Sequence, residues 1–160
     1  MNIEQKSQAY GVIQTLLVFI FAAAVFFGPE VPRLPTGRVS SIIGLAFCGL
    51  GIVLLFAAIS RIGQSIQIAP EPKKGATLVT TGVYRWFRHP IYTAMVVLVI
   101  GLFLRRPTLA IALAGGAVIV FLIIKVRFEE KLLLATYAEY SAYRTRTWGI
   151  MPWPRRRAPR

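Results

Sequence analysis

Two uncharged apolar runs, each about twenty residues long, constrain this chain more than any other feature. They cover residues 9–27 and 39–59, and each is long enough to cross the hydrocarbon core of a bilayer as an α-helix. Two further apolar runs, residues 90–104 and 108–128, follow a polar stretch. The sequence therefore predicts an all-α integral membrane bundle with four transmembrane helices.

The first run could also be a secretory signal peptide, because Ala22, Ala23 and Ala24 resemble the small residues that precede a cleavage site. The run is long for a signal peptide and continues past the alanines, so a retained span is the favoured interpretation. The composition agrees, since 56% hydrophobic residues and a mean hydropathy of +0.61 are too apolar for an ordinary soluble domain. One membrane domain over residues 1–160 is expected.

The basic residues are distributed unevenly between the predicted loops. The net charge is +13, with nineteen lysines and arginines, but only four of them follow the first or third run: Arg33, Arg38, Arg105 and Arg106. The remaining fifteen lie on the other side with both termini, which the positive-inside rule places in the cytoplasm. This distribution argues against nucleic-acid binding. The predicted location is the inner or plasma membrane of a prokaryote, with cytoplasmic N- and C-termini.

A long polar loop, residues 61–89, separates the second and third runs, and a loop of this length is usually functional or disordered. The interleaved apolar residues of its last part predict order there. Pro90 suits the first position of a helix, where its missing N–H has no partner. A helix start beside Arg88 and the only histidine, His89, suits an anion such as a carboxylate. The alternative is that these residues simply flank a span on its cytoplasmic side.

A pair of glutamates, Glu129 and Glu130, ends the fourth run on the same predicted side as His89. Helical rise places His89 about 24 Å and Glu129 about 33 Å from the turn between the third and fourth runs. The two are therefore not level unless the longer helix tilts or kinks near Gly115-Gly116. The alternative role for the glutamates is a solvated helix end.

The C-terminal helix and tail, residues 131–160, are predicted to lie at the cytoplasmic surface. Residues 131–143 have a helical period, with Leu133, Tyr137 and Tyr140 on one face. The remainder is rich in tryptophan, proline and arginine, which suit the level of the lipid headgroups. A cytoplasmic amphipathic helix is therefore expected after the fourth span.

Small residues in two of the runs predict close helix packing. The second run carries a small-residue face made of Gly44, Cys48, Gly49 and Gly51. In the fourth run, Gly115-Gly116 is either a packing point or a kink. Lys125 and Arg127, near the end of that run, are expected to extend towards the membrane surface.

Two motifs in the second half of the chain resemble those of the isoprenylcysteine carboxyl methyltransferase family, which shares its cofactor pattern with the phospholipid methyltransferases. The main motif is Leu78-Val79-Thr80-x-Gly82-x-Tyr84-x-x-x-Arg88-His89-Pro90-x-Tyr92, followed by Glu129-Glu130-x-x-Leu133. The second is Tyr140-x-x-Tyr143-x-x-Arg146, then Pro152. The resemblance covers roughly residues 61–152.

The resemblance implies S-adenosylmethionine as the methyl donor and a lipid-like or prenylated acceptor at the membrane. The cofactor-binding residues it implies are Leu78, Val79, Thr80, Gly82, Tyr84, Arg88, His89, Pro90, Tyr92, Glu129 and Glu130. Arg88, His89 and Tyr92 would hold the methionyl part, and the two glutamates would meet the ammonium group or the ribose. Backbone groups of residues 78–82 would line the adenine. No metal is implied.

The acceptor side of the implied site includes Tyr143 and Arg146 as substrate-binding residues, with Arg146 and Glu129 in catalytic roles. The planar guanidinium of Arg146 could orient a substrate carboxylate by pairing with both oxygens. An ionised carboxylate needs no general base. The resemblance therefore implies, as the predicted function, carboxyl O-methylation of an isoprenylcysteine-like substrate.

Three alternatives are retained. Methylation of a phospholipid amine or a small thiol would require a deprotonation, for which Glu129 and His89 are the candidates. A small four-helix transporter is an alternative of another class, although the first three runs contain no acid, base or histidine. A structural membrane subunit would leave the Arg-His-Pro and Glu-Glu pattern unexplained. The residues do not distinguish between oligomeric states.

Overall fold

The computed structural model describes residues 2–29, 37–62 and 78–152, and all regular elements within these ranges are helical. Five α-helices are present there: α1 (Ile3–Phe27), α2 (Arg38–Ile62), α3 (Pro90–Arg105), α4 (Leu109–Thr136) and α5 (Tyr140–Arg146). A short 3-10 helix, Gly82–Arg85, precedes α3. The prediction of an all-α chain is confirmed. Most of the predicted loop, residues 63–77, and the end of the tail, residues 153–160, lie outside the described residues.

Three of these helices, α1, α2 and α4, are long and apolar enough to cross a membrane. Their outward surfaces carry large apolar side chains such as Phe19, Phe26 and Phe56, each at least 70% exposed. An apolar surface of this kind suits lipid tails and not water, so the chain is an integral membrane protein. The fourth predicted span corresponds to α3, a shorter apolar helix of 16 residues, and the count of four crossings stays a prediction.

α1 begins earlier than the first apolar run because its start is capped. The Asn2 side chain accepts a hydrogen bond from the Gln5 N–H at 2.8 Å, and the Gln5 side chain accepts one from the Asn2 N–H at 3.1 Å. This reciprocal capping box satisfies two N–H groups at the helix start that would otherwise lack partners. Residues 3–8, which precede the first apolar run, therefore form the first turns of α1.

α4 continues past residue 128, where the fourth span was predicted to end. The prediction of a separate amphipathic helix at residues 131–143 is therefore wrong. The glutamates, lysine, leucines and alanine that follow Phe128 favour helix, and no glycine or proline interrupts them. The side chains become polar after Phe128, but the backbone remains helical as far as Thr136. The helix ends at Tyr137, which has an extended backbone (φ −118°, ψ 115°), and α5 starts only at Tyr140.

α2 and α3 pack closely through small residues, as predicted. A Cβ added to Gly44 would lie 2.7 Å from the Gly101 carbonyl oxygen, and one added to Gly101 would lie 2.8 Å from the Cys48 sulfur. Gly51 meets α3 equally closely. The predicted small-residue face is therefore confirmed for these positions of α2, but a Cβ added to Gly49 would have no neighbour within 4 Å.

α1 and α4 are joined by aromatic stacking, and α4 also meets α3 at a glycine. The Tyr10 and Phe128 rings stack with centroids 5.0 Å apart. A Cβ added to Gly115 would lie 2.6 Å from Val99 of α3, so Gly115 is a close-packing point. A Cβ added to Gly116 would have open space around it.

The first four helices alternate in direction. At one end, the Arg106 side chain donates a hydrogen bond to the Val25 carbonyl at the end of α1, at 2.8 Å. At the other end, Gly82 lies against the side chain of Arg61 in the last turn of α2. This second end also contains the starts of α1 and α3 and the end of α4, and the candidate site lies there.

The prediction that Lys125 extends towards the membrane surface is wrong. Its side chain is 1% exposed, and its ammonium group donates a hydrogen bond to Gln14 of α1. The same group lies 3.8 Å from a Glu129 oxygen and 5.5 Å from the centre of the Tyr92 ring. These partners inside the bundle satisfy a charge that would otherwise have to reach water. Arg127 is exposed.

Candidate functional site

The segment that leads into α3 is ordered, as predicted. Leu78, Val79 and Thr80 precede the 3-10 helix, and the first two are half-buried. Gly82 has a φ of +61°, in the left-handed region that glycine adopts readily. Tyr84 is buried within the turn, and this burial raises the pKa of its hydroxyl to about 12.

α3 begins at Pro90, and His89 is its N-cap, as the sequence predicts. The backbone of His89 is outside the helical region (φ −124°, ψ 60°), as expected for a residue before proline. Its carbonyl accepts hydrogen bonds from the N–H and the hydroxyl of Thr93, at 3.0 and 3.2 Å. Its side chain does not cap the helix and is directed at α4.

The imidazole of His89 lies between two carboxylates of α4. Nδ1 is 3.4 Å from a Glu129 oxygen, and Nε2 is 3.6 Å from a Glu130 oxygen. Burial disfavours the charged imidazole, but the two carboxylates more than offset this effect and raise the pKa of His89 above its usual 6.5. The site therefore contains a buried histidine that holds its proton more tightly than a histidine in water.

Tyr92 completes the surroundings of Glu129. Its hydroxyl donates a hydrogen bond to the carboxylate at 2.6 Å, and its ring is nearly parallel to that of His89, with centroids 5.7 Å apart. Lys125 approaches the same carboxylate from the preceding turn of α4. Glu129 is thus held by three side chains from two helices.

Arg88 joins the site to the segment that follows α5. Its Nε donates a hydrogen bond to Glu130 at 2.8 Å, and another guanidinium nitrogen donates to the carbonyls of Arg144 and Thr147. Its backbone N–H donates to the Trp148 carbonyl at 2.7 Å. Arg88 therefore holds the chain after α5 against the start of α3, a role that sequence reasoning missed.

The glutamates and the histidine are level even though α3 and α4 differ in length. Side chains on a helix lean towards its N-terminus, so the carboxylates of Glu129 and Glu130 point back along α4 towards α3. The His89 imidazole meets both carboxylates, at 3.4 and 3.6 Å. This direction reduces the predicted offset of about 9 Å, and α4 remains one continuous helix through Gly115.

The two residues predicted to bind the acceptor, Tyr143 and Arg146, have different surroundings. The Tyr143 hydroxyl donates a hydrogen bond to the Tyr84 carbonyl at 2.6 Å, so it supports the turn before α3. Arg146 is exposed. Its side chain makes no hydrogen bond or ion pair with the part of the chain that the structure describes.

Two other residues of α5 face the glutamates instead. The Nε of Arg144 lies 3.3 Å from a Glu130 oxygen, and Tyr140 is 1% exposed. Sequence reasoning placed Tyr140 on a helix face but missed Arg144. The spacing of four residues, which puts both on the same side of a helix, was the signal that could have found it.

The cluster combines two carboxylates with several basic groups and two buried polar atoms that make no hydrogen bond, although one of them, His89 Nε2, lies 3.6 Å from a Glu130 oxygen. Within the described residues, His89 Nε2 and the Tyr140 hydroxyl make no hydrogen bond. Buried polar atoms are normally paired, and leaving one unpaired costs about 1–3 kcal/mol. This arrangement suits a polar ligand with charges of both signs. Residues 2–29, 37–62 and 78–152 contain no group of His, Cys, Asp and Glu that could hold a metal ion.

Comparison with known proteins gives relatives of two kinds. The isoprenylcysteine O-methyltransferase of Tribolium castaneum is 36% identical over 101 residues, which cover 61% of this chain and 36% of the relative. The cobalt-zinc-cadmium resistance protein CzcN of Cupriavidus metallidurans is 30% identical over 104 residues, which cover 64% of this chain and 46% of the relative. The chain thus matches less than half the length of each relative.

A solved structure and a family model extend the comparison. The structure of a eukaryotic intramembrane Ras methyltransferase, isoprenylcysteine carboxyl methyltransferase, matches with a TM-score of 0.63 and 29% identity, covering 96% of this chain and 54% of that one. The model of the phospholipid methyltransferase family matches residues 39–140, more than half of this chain. That range includes His89 and both glutamates. The predicted resemblance is confirmed, and the chain belongs to the phospholipid methyltransferase family.

Proposed function

We propose that this protein uses S-adenosylmethionine to methylate a lipophilic acceptor at the membrane, with the carboxylate of an isoprenylcysteine-like molecule as the preferred acceptor. The observation that carries the proposal is the buried cluster of His89, Glu129 and Glu130 where α3 begins. Family membership and the likeness to a solved isoprenylcysteine carboxyl methyltransferase support it. They support the methyltransferase function over the transporter alternative.

The residues present fit this cofactor, which supplies an activated methyl group on a sulfonium. Its carboxylate and ammonium need partners of opposite sign, and the cluster contains both. In this assignment Glu129 and Glu130 receive the ammonium or the ribose, while His89 and Tyr92 meet the methionyl part. Backbone groups of residues 78–82 line the adenine. The Tyr140 hydroxyl makes no hydrogen bond within the described residues and is a buried atom that a polar ligand would satisfy.

The protein's own residues hold the reactants in position and exclude water from the site. Glu129 is held by Tyr92, His89 and Lys125 before any ligand arrives, and Arg88 binds carbonyls at the end of α5 and just after it. Holding reactants in the correct geometry can lower a barrier by about 7–11 kcal/mol.

The acceptor determines whether a base is needed. A carboxylate acceptor is ionised at neutral pH and needs none, whereas an amine or thiol must lose a proton. The two carboxylates beside His89 raise its pKa, so the neutral form that could accept a proton is less populated than in a histidine in water. This favours a carboxylate acceptor over a phospholipid amine or a small thiol.

The test is methyl transfer by the detergent-purified protein from methyl-labelled S-adenosylmethionine. Three acceptors are compared: an S-prenylated cysteine with a free carboxylate, a phospholipid with a primary amine, and a small alkyl thiol. The proposal predicts label in the prenylcysteine that alkali releases, because a methyl ester is hydrolysed and an N-methyl or S-methyl group is not. Label only in the amine or the thiol would assign the alternative acceptor. No transfer to any of them, together with no cofactor binding, would overturn the proposal.

A further inference from the structure

One face of α5 presents two polar side chains to Glu130. Tyr140 and Arg144 are four residues apart and so lie on the same side of the helix. The Arg144 guanidinium contacts a Glu130 oxygen at 3.3 Å, and its side chain is half exposed. Tyr140 is almost fully buried. The face therefore joins the buried cluster to the solvent.

The Tyr140 hydroxyl differs from the other tyrosine hydroxyls of the site. Those of Tyr92 and Tyr143 each donate a hydrogen bond at 2.6 Å, to Glu129 and to the Tyr84 carbonyl. That of Tyr140 has no partner within the described residues. A buried tyrosine hydroxyl usually finds an acceptor. Burial first, and then the nearby Glu130, raise its pKa, so it remains a donor at neutral pH.

The charges around Glu130 are unbalanced. One carboxylate faces three basic side chains, those of Arg88, His89 and Arg144. The Arg88 guanidinium is already occupied by Glu130 and by backbone carbonyls. Arg144 is the basic group of this set that a ligand can reach from the solvent, since its side chain is 50% exposed. The local excess of positive charge favours a second anion.

We propose that Tyr140 and Arg144 form a carboxylate-binding subsite next to Glu130. The Tyr140 hydroxyl donates a hydrogen bond to the ligand carboxylate, and the Arg144 guanidinium pairs with the same group. The inference rests on the proposed function, in which two molecules carry a carboxylate: the methionyl part of the cofactor and the acceptor. It adds two residues of α5 to the predicted site, neither of which is Arg146.

The first arm of the test measures ligand affinity for Tyr140→Phe and Arg144→Ala by calorimetry. S-adenosylhomocysteine is compared with its decarboxylated analogue. If the subsite holds the cofactor carboxylate, each variant should bind S-adenosylhomocysteine roughly tenfold or more weakly and bind the decarboxylated analogue as the wild type does. Tyr10→Phe serves as the control, because that ring stacks on Phe128 outside the cluster.

The second arm uses an S-prenylated cysteine and its amide. If the subsite holds the acceptor carboxylate, the two variants should lose affinity for the acid only and bind S-adenosylhomocysteine normally. Loss in either arm supports the subsite and identifies its ligand. Wild-type affinity of both variants for both carboxylates would overturn it. If the wild type binds neither S-adenosylhomocysteine nor its decarboxylated analogue, the proposed function is contradicted. The comparison of the prenylated cysteine with its amide then shows by itself whether the subsite exists.

A stability measurement separates ligand contact from a structural role. Removing a buried hydroxyl that has no partner should leave the melting temperature of the ligand-free protein unchanged or raise it. Tyr140→Phe should therefore melt no lower than Tyr10→Phe. A clearly lower melting temperature would show that the hydroxyl has a structural partner in the ligand-free protein, contrary to the proposal.

Discussion

His89 determines how the site responds to pH. It is buried against Glu129 and Glu130, with Arg88 bound to the second carboxylate. Because its pKa is raised in the folded protein, its contribution to stability is fully present below about pH 6.5, the value in the unfolded chain. That contribution is lost as the pH rises through the raised pKa.

The first prediction compares the wild type with His89→Asn in thermal unfolding from pH 6 to pH 9. The wild type should lose stability relative to the variant as the pH rises. Only the wild type has the His89 imidazole, and when this group loses its proton it also loses its charge attraction to Glu129 and Glu130. Glu4→Gln, an exposed change at the first turn of α1, is the control. Curves that stay parallel over the whole range would contradict the raised pKa.

The second prediction concerns Arg146, which we propose orients the acceptor carboxylate. Such a residue acts on the acceptor and the transition state and not on cofactor affinity. Arg146→Ala should therefore bind S-adenosylhomocysteine normally and lose methyl transfer, and Arg146→Lys should restore little, because a point charge cannot replace the planar fork. Arg127→Ala, also exposed, should remain active. Normal turnover by Arg146→Ala would assign this arginine to the lipid headgroups.

At the scale of the elements, the pairing of α2 with α3 supports the site. α3 begins at the site, and α2 ends beside the turn that precedes it. Gly101 and Gly44 allow the two backbones to approach closely. Any change that separates these helices should therefore displace His89 from the glutamates.

The third prediction is that Gly101→Ala destabilises the protein and Gly49→Ala does not. The added Cβ at Gly101 would lie 2.8 Å from both the Cys48 backbone nitrogen and the Gly44 carbonyl oxygen, and overpacking of this kind costs about 1–3 kcal/mol. At Gly49 the added Cβ has open space, and alanine favours helix more than glycine does. Thermal unfolding in detergent measures both. Equal melting temperatures would show that α2 and α3 separate without cost.

Several elements were predictable from the sequence because single residues mark them. Pro90 predicts the start of α3, and the lack of charge between residues 39 and 59 predicts α2. Polarity failed as a guide at the end of α4, since Glu129 and Lys131 favour helix as strongly as apolar residues do. The burial of Lys125 could not be predicted either, because its partner Gln14 is 111 residues away in the chain.

The motif predicted which residues form the site, but only part of their arrangement in space could be predicted. The motif indicated that Arg88, His89 and the glutamates belong together, and the structure brings them into contact. The roles of Arg88 and Arg144 as contacts to the same carboxylate depend on the break at Tyr137, which turns α5 back onto α4. No local pattern in the sequence marked that break.

For the whole molecule, the alternating helices place the site and most of the basic residues that the structure describes at the same end of the bundle. The positive-inside rule then predicts that the site faces the cytoplasm. The family match and the solved relative cover this same core, and the chain spans about half the length of that relative. The orientation remains a prediction from the charge distribution.

The fourth prediction tests that orientation by cysteine labelling in intact cells. Cys48→Ala removes the native thiol, and single cysteines are then introduced at Gly37 or Met151, both of which are exposed. An impermeant thiol reagent should label Gly37→Cys from outside and Met151→Cys only after lysis. The reverse pattern would invert the topology, and labelling of both from outside would rule out an odd number of crossings between them.

The central claim is that His89 and Glu129 bind one cofactor molecule from two sides. Calorimetric titration of the detergent-purified protein with S-adenosylhomocysteine tests it most directly. The account predicts saturable binding by the wild type and by Arg127→Ala, weakened in His89→Ala and in Glu129→Gln by about 1.5–3 kcal/mol each. Wild-type affinity in both of these variants, or no binding by a folded wild type, would contradict it.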